Sequence, residues 1–405
     1  MKYLILSLLF SISVGAAPQA HDTQKTQTIM TNMDIITALK LNPTVIDKEI
    51  GVGIVNVSNE QIEEIHELSH AAKRCAGYQT LEDGIAINQH DSILSDLKNI
   101  VNRHKKAENL SILGKPLTYN SRIDEAVSMI DAENIRSWVE WLSSYNDRYH
   151  AGKTPNAHVE EMETRLKAMI AASSIEARVE RITHKRTQQN SLKVIIPGTE
   201  RPEEIVVLGG HFDSINRFYI LPSPGADDNA SGTSSLVEAL RVLLTQGQQP
   251  KRTIEFMWYA AEEVGLWGSS DIANSYKQTN KDVIAVLQLD MTLYPGDGER
   301  KFGNTSDFTS PWLRQIISDL NSLYVNGVEL ESACGYGCSD HASWYRQGYP
   351  AAFPMESTFN GSNKKIHTTD DIISSSSSFD HAAMFGELAV AFAIELGDND
   401  LRQPY

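Results

Sequence analysis

The chain has 405 residues and is 41% hydrophobic, enough to bury a full globular core with one accessory segment besides. Lys+Arg 36 against Asp+Glu 52 gives a formal net charge of −16. Such a charge repels phosphate backbones and excludes nucleic acid as an expected partner.

Residues 1–17 read as a secretory signal. Lys2 supplies the positive start, Tyr3 to Val14 the apolar stretch, and Gly15-Ala16-Ala17-Pro18 the small residues suited to cleavage. That stretch is too short to span a bilayer and no second long apolar run follows, so no stable membrane association is expected. The reading is an exported soluble protein, extracellular or periplasmic.

Residues 18–115 carry an Ile/Val run (Gly51 to Val57), a helix-like stretch (Glu60 to Leu68) and a basic patch, Arg103-His104-Lys105-Lys106. They contain none of the candidate site residues. The pattern fits a small α+β prosegment that assists folding or covers a cleft, cut by a processing protease between Lys105 and Lys115; a permanently attached small domain is the alternative. Export implies oxidising surroundings, so Cys334 and Cys338, flanking Gly335-Tyr336-Gly337, are expected to form a disulfide. As metal ligands they would lack the second pair that a structural zinc needs. Cys75 then has no intramolecular partner, understandable if its segment is removed or keeps it buried.

Residues 116–405 are expected to form the catalytic domain. Ile135, Trp138, Trp141 and Leu142 fall at helical spacing in Ala132 to Ser144, as do Met162, Leu166 and Ile170 in Val159 to Ala172. Both stripes read as core-facing. Strands are expected at Ser191 to Ile196, Glu204 to Gly209, Arg252 to Ala260, Val283 to Asp290 and Tyr349 to Phe353. A helix over Ser231 to Leu244 separates the second from the third, and a last helix spans Phe379 to Glu395 after a serine loop at 374–378. This alternation argues an α/β fold, a three-layer sandwich with a mixed, mainly parallel central sheet flanked by helices.

In such sheets, functional groups collect on loops leaving the carboxyl ends of strands. His211 and Asp213 follow one strand, Glu262 and Glu263 the next, Asp290 a third. Residues two apart in extended chain face the same way, so Asp213 can accept the far N–H of His211 and make it a better ligand. Asp227-Asp228 opens a helix and could cap it, but two adjacent acids exceed what capping requires, and one carboxylate can bridge two metals. Of the pair Glu262-Glu263, one acid can hold a metal while the other takes a proton from the attacking water.

Six stretches in order carry a resemblance: Gly209 to Ser214, Pro224 to Gly232, Ala261 to Ser269, Gln288 to Met291, Cys334 to His341 and Ile366 to Thr368. Together they resemble the motif series of the secreted bacterial leucyl aminopeptidases, two-zinc exopeptidases of the glutamate carboxypeptidase-like superfamily. The likeness runs from about Asn120 to Asp398. It implies His211 and Asp290 on one zinc, Glu263 and His367 on the other, Asp228 bridging, Glu262 as general base and Asp213 as the orienter of His211. It places Met291, Tyr336, Met355, Phe359 and Ile366 around the pocket for a Leu-like first side chain. Ordinary core packing is the alternative for each of these five. The implied activity is a zymogen-derived aminopeptidase acting on peptides with a free N-terminus, with two Zn²⁺ per chain and a monomer expected.

Three rivals stand beside it. A carboxypeptidase or dipeptidase of the same superfamily would need Arg217, Lys364 or Lys365 for the substrate carboxylate. A glutaminyl cyclase would use one zinc, whereas a five-ligand set argues for two. A non-enzymatic relative would not need Glu262 beside that set. Serine hydrolase, nucleotide-enzyme and thermolysin-like motifs are absent from the sequence.

Overall fold

The structure, a computed structural model, describes residues 26–71, 77–81, 85–109 and 117–403. The expected signal and Cys75 lie outside these residues.

The N-terminal unit comprises β1 (Thr26–Asn32), α1 (Met33–Ala38), β2 (Pro43–Asp47), β3 (Val52–Ser58), α2 (Asn59–Ala71), β4 (Tyr78–Thr80) and α3 (His90–Asn109). Its sheet has the order β2-β3-β1-β4, antiparallel throughout. Strand alternation sends Val55 and Val57 to Ile62 and Ile65 of α2, and Val52 and Ile54 to Leu94 and Leu97 of α3. Each face therefore acquires its own helix. The expected cleavage stretch begins inside α3, and its continuation through 110–116 lies outside the described residues.

The larger unit follows with α4 (Ser121–Ser128), α5 (Ala132–Ser143), α6 (Ala157–Ala171), β5 (Arg178–Ile182), β6 (Ser191–Ile196), β7 (Arg201–His211), α7 (Gly232–Gln246), β8 (Arg252–Tyr259), α8 (Trp267–Gln278), β9 (Asp282–Gln288), β10 (Lys301–Thr305), α9 (Pro311–Leu320), β11 (Val328–Ser332), α10 (His341–Arg346), β12 (Ala351–Ala352), β13 (Pro354–Met355) and α11 (Phe379–Asp398). The central sheet has the order β12-β9-β7-β8-β6-β5. Its β12/β9, β9/β7 and β7/β8 pairs are parallel, while β6 joins β8 and β5 antiparallel.

Every second residue of the central strands decides which layer it meets. Val206 and Leu208 of β7, Phe256 and Trp258 of β8, and Ala285 and Leu287 of β9 pack with α7 and α11. Ile205, Val207, Met257, Tyr259 and Val286 face the other way, against Ile272 of α8 and Trp344 of α10. Both faces are covered, which explains why these strands are apolar throughout and why the sheet is the middle of three layers. The five expected strands and four expected helices form, with β12 reduced to two residues. Four strands of the larger unit, β5, β10, β11 and β13, were not expected. They are short, polar or glycine-bearing, and carry little of the apolar run that marks a central strand. The three-stranded sheet β11-β10-β13 packs beside the main one and brings Met355 toward the site. Among the described residues, no helix is long and apolar enough to cross a membrane.

Candidate active site

Three parallel neighbours, β7, β8 and β9, end at one edge and deliver His211, Glu262-Glu263 and Asp290 there. The turn 226–231 before α7 adds Asp227-Asp228, and a loop after β13 adds His367. All are buried: His211 is 0% exposed, Glu262 and Glu263 1%, Asp228 and Asp290 2%, His367 4%. Asp228 lies at the centre. Its Oδ1 is 3.1 Å from His211 Nε2, and its Oδ2 is 3.0 Å from His367 Nε2. His211 Nε2 is also 3.4 Å from Asp290 Oδ1, and His367 Nε2 2.8 Å from Glu263 Oε2. Two donor sets result, His211-Asp228-Asp290 and Asp228-Glu263-His367, each with ligand atoms within 4.8 Å of one another.

The backbone here is unusual. Ala261 (φ 53), Met291 (φ 58) and His367 (φ 58) adopt the left-handed conformation without being glycine, and each is or adjoins a site residue. Such conformations persist only where surrounding contacts over-determine them, and they concentrate at functional sites.

Those contacts come largely from buried polar side chains. Asp213, itself 0% exposed, accepts the N–H of Glu262 at 3.0 Å and of Glu263 at 3.2 Å, and its Oδ1 lies 3.4 Å from His211 Nδ1. Asn229 donates to the carbonyls of His211 (3.2 Å) and Leu289 (3.1 Å) and accepts from Met291 N (3.2 Å), tying the ends of β7 and β9. Ser339 donates to Asp290 Oδ2 at 2.6 Å. Arg148 is 1% exposed and gives its guanidinium to the carbonyls of Phe212 (2.8 Å), Leu142 (3.1 Å) and Gly225 (2.8 Å), closing the loop between His211 and Asp228. Asp371 accepts N–H groups from the Asp227-Asp228 turn.

Negative charge exceeds positive in this buried volume. Burial pushes Glu262 well above the usual carboxylate range, against the pull of His211 and with Asp340, Glu263 and Asp290 adding to it. Burial and neighbouring Asp228 raise Glu263 to about 7. Burial would lower both imidazoles, but the carboxylates around them win: Asp290 and Glu262 hold His211 well above its ordinary value, and Glu263 and Asp228 hold His367 at about 10. Asp228, despite burial, is lowered by its hydrogen bonds to both histidines. Glu262 Oε2 and Asp290 Oδ1 have no hydrogen-bond partner among the described residues. Buried acids in such excess call for cations, and carboxylate-imidazole sets of this kind are what divalent metals take.

The five residues expected around a side-chain pocket do cluster. Met291, Tyr336, Met355 and Ile366 are buried together with Cys334, Cys338 and Phe353, and Phe359 packs against them beside Asp290. Cys334 and Cys338 are joined, with Cα atoms 6.3 Å apart. The cavity between these side chains is about 10 Å³, hardly room for one water. Of the residues a carboxylate-binding rival would use, Lys364 gives its ammonium to the Phe359 carbonyl (2.9 Å) and Ser362 Oγ (3.0 Å), while Arg217 and Lys365 are exposed.

The N-terminal unit lies against the loops that carry this site. Tyr78 Oη donates to the Val264 carbonyl at 3.2 Å, Thr80 N to the Gly265 carbonyl at 3.3 Å, and Trp267 Nε1 to Thr80 Oγ1 at 3.0 Å. Gly265 has φ +106, and a Cβ there would stand 2.8 Å from both Thr80 Oγ1 and the Tyr78 ring, so only glycine admits this approach. His66 meets Tyr219 Oη at 2.9 Å in the loop after Asp213, and Asn32 donates to the Gly335 carbonyl at 2.5 Å in the disulfide turn.

Sequence reasoning missed Asn229 as a tie between strands, and missed Arg148, Ser339 and Asp371. Ser339 and Asp371 stand one and four residues beyond expected site residues, a proximity that could have drawn attention to them. Arg148 left no comparable trace.

An α/β sandwich with two carboxylate-imidazole sets at the ends of its parallel strands can hold divalent metals and support metal-assisted hydrolysis. A model of peptidase family M28 matches residues 192–393. The chain is 37% identical over 320 residues to leucine aminopeptidase 1 of Pyrenophora tritici-repentis, covering 76% of this chain and 80% of that one. It is 41% identical over 281 residues to leucine aminopeptidase 1 of Penicillium rubens, covering 66% and 72%. Among solved structures, the LapA aminopeptidase of Legionella pneumophila is similar with a TM-score of 0.77 at 27% identity, over 93% of this chain and 99% of that one. The chain thus belongs to peptidase family M28, and it is a metallo-aminopeptidase. Residues 117–403 are 287 of 405, about 71%, so the likeness to LapA takes in the N-terminal unit as well.

Proposed function

We propose that the chain is an exported two-zinc aminopeptidase that removes Leu-like hydrophobic residues from the N-termini of peptides. The observation that carries the reading is Asp228, whose two oxygens face different histidines at 3.1 and 3.0 Å. One zinc would be held by His211, Asp228 and Asp290, the other by Asp228, Glu263 and His367. Hard oxygen and imidazole donors without thiolate suit zinc, and cobalt or manganese fit the same set. The two dications would supply Lewis acidity toward the attacking water and the scissile carbonyl.

The chain's own residues do the rest. Glu262, buried and with Oε2 free of hydrogen bonds among the described residues, accepts the proton of the attacking water and returns it to the departing amine. Asp213 keeps Glu262 in place through its backbone and fixes the tautomer of His211. The carboxylates bind the substrate's free α-amine. Met291, Tyr336, Met355, Phe359 and Ile366 receive the first side chain. Lys364 turned to its own loop supports an aminopeptidase over a carboxypeptidase, and five donors support two metals over the single zinc of a cyclase.

His184, Ser191 and Asp271 form a Ser-His-Asp arrangement, with His184 Nε2 2.8 Å from Ser191 Oγ and Nδ1 3.1 Å from Asp271 Oδ2. Ser191 is 0% exposed and its Oγ accepts the Ala260 N–H, so no substrate carbonyl can reach it.

The N-terminal unit serves as an intramolecular cover that a processing protease removes. Its contacts with three site loops, and a side-chain cavity of about 10 Å³, support latency in the intact chain. The test is hydrolysis of amino-acid p-nitroanilides, with and without a zinc chelator, before and after cleavage between Lys105 and Lys115. Leucyl p-nitroanilide should be cleaved, N-blocked peptides should not, and the chelator should abolish turnover. Chelator-resistant activity or cleavage of N-blocked peptides would overturn the assignment.

A further inference from the structure

Asp371 stands in the turn that follows His367 and is 2% exposed. It receives three consecutive N–H groups from the turn bearing the central acid: Ala226 N–H at its main-chain carbonyl (3.0 Å), Asp227 N–H at Oδ1 (3.0 Å) and Asp228 N–H at Oδ2 (3.1 Å). This single residue binds one loop to the other. Asp227 is held as well by Leu293 N–H (3.0 Å) and Asn363 Nδ2 (2.9 Å), but the Asp228 N–H goes to Asp371.

We infer that Asp371 is the positioning residue that sets the spacing between Asp228 and His367, and through it the ability of the chain to hold two metals at once. The inference rests on the two-zinc reading. Asp228 is in a non-helical stretch of its turn (φ −104, ψ 95), so its N–H is held by the Asp371 carboxylate and not by a regular helical hydrogen bond. A carboxylate matches two adjacent N–H donors with two acceptors. An amide offers one acceptor and turns an NH₂ against the other N–H, so Asp371→Asn releases either Asp227 or Asp228. Released, Asp228 no longer keeps one oxygen toward each histidine, and the shared ligand serves one metal better than two. Groups that orient a metal ligand are worth about 10- to 100-fold in metal affinity.

The test is zinc per chain after dialysis against a weak chelator, with kcat and KM measured at low and saturating zinc. The parent should retain two zinc ions, and Asp371→Asn should fall toward one. The variant should show reduced kcat at low zinc that recovers when zinc is raised, and a KM for leucyl p-nitroanilide near that of the parent. Asp370→Asn, at the exposed neighbour in the same turn, should behave as the parent. If Asp371→Asn does not fold, Asp371→Glu, which shifts the carboxylate by one methylene, reads the same ratio. A parent retaining fewer than two metals would sink the two-zinc reading. A two-metal parent whose Asp371 variants retain both with unchanged zinc dependence would overturn this inference alone, as would equal metal loss in Asp370→Asn.

Discussion

Asp213 accepts the backbone N–H of Glu262 at 3.0 Å, so the residue expected to orient a histidine also aims the proposed general base. Asp213→Asn should therefore act on two functions at once. Metal affinity should fall by about 10-fold, the low end for an orienting group, because the Asp213 main-chain carbonyl 3.2 Å from His211 Nδ1 survives and only the carboxylate 3.4 Å away loses its charge. Turnover should remain low even at saturating metal, because the Glu262 backbone is no longer held. Zinc titration of kcat separates the two effects, and full recovery at high zinc would limit Asp213 to the histidine.

Glu262→Gln keeps the volume of the side chain and removes its basicity. Metal content should stay at the parent value while kcat falls by at least about 100-fold, the usual worth of a general base. Turnover close to that of the parent would show that another group takes the proton.

Asp228→Ala should have the opposite signature. Both donor sets use this carboxylate, so metal per chain should drop, and added zinc should restore little activity. Inductively coupled plasma measurement on the dialysed variant checks it.

Docking of the N-terminal unit should weaken in acid. Burial, with His367 nearby, holds His66 at about 4, below its ordinary 6.5. Once undocked, the imidazole takes up a proton below about pH 6.5 that the docked form refuses, so the contact is fully stable above that value and is lost progressively toward pH 4. Protease sensitivity of the stretch from Lys105 to Lys115 should rise over this window. The same profile in His66→Gln would assign the effect to other groups.

Cutting the disulfide should change substrate fit more than chemistry. The Cys334–Cys338 bond fixes the turn bearing Tyr336, so Cys334→Ser with Cys338→Ser should raise KM for leucyl substrates and blur the preference for large first residues, with metal content unchanged. An unaltered specificity profile would remove Tyr336 from the pocket.

Much of this site could be read along the chain because its parts obey local periods. His211 and Asp213 are two apart at a strand end, Glu262-Glu263 and Asp290 follow apolar runs, and continuously apolar strands alternating with helices foretold two covered faces. The four missed strands lacked that signal: β10 is Lys-Phe-Gly-Asn-Thr, paired at the side of the domain, with no apolar run to mark it.

The sequence alone determined which residue types gather at the strand ends, since side-chain period and strand direction follow from backbone geometry. Only the tertiary structure decided how they are held. Asp371, Asn229 and Arg148 act by gripping main-chain N–H and carbonyl groups, and every residue except proline offers both, so such partnerships leave no residue-type pattern to read. The same holds for β4 against Gly265, where a strand from one unit meets backbone of the other across 185 positions between Thr80 and Gly265.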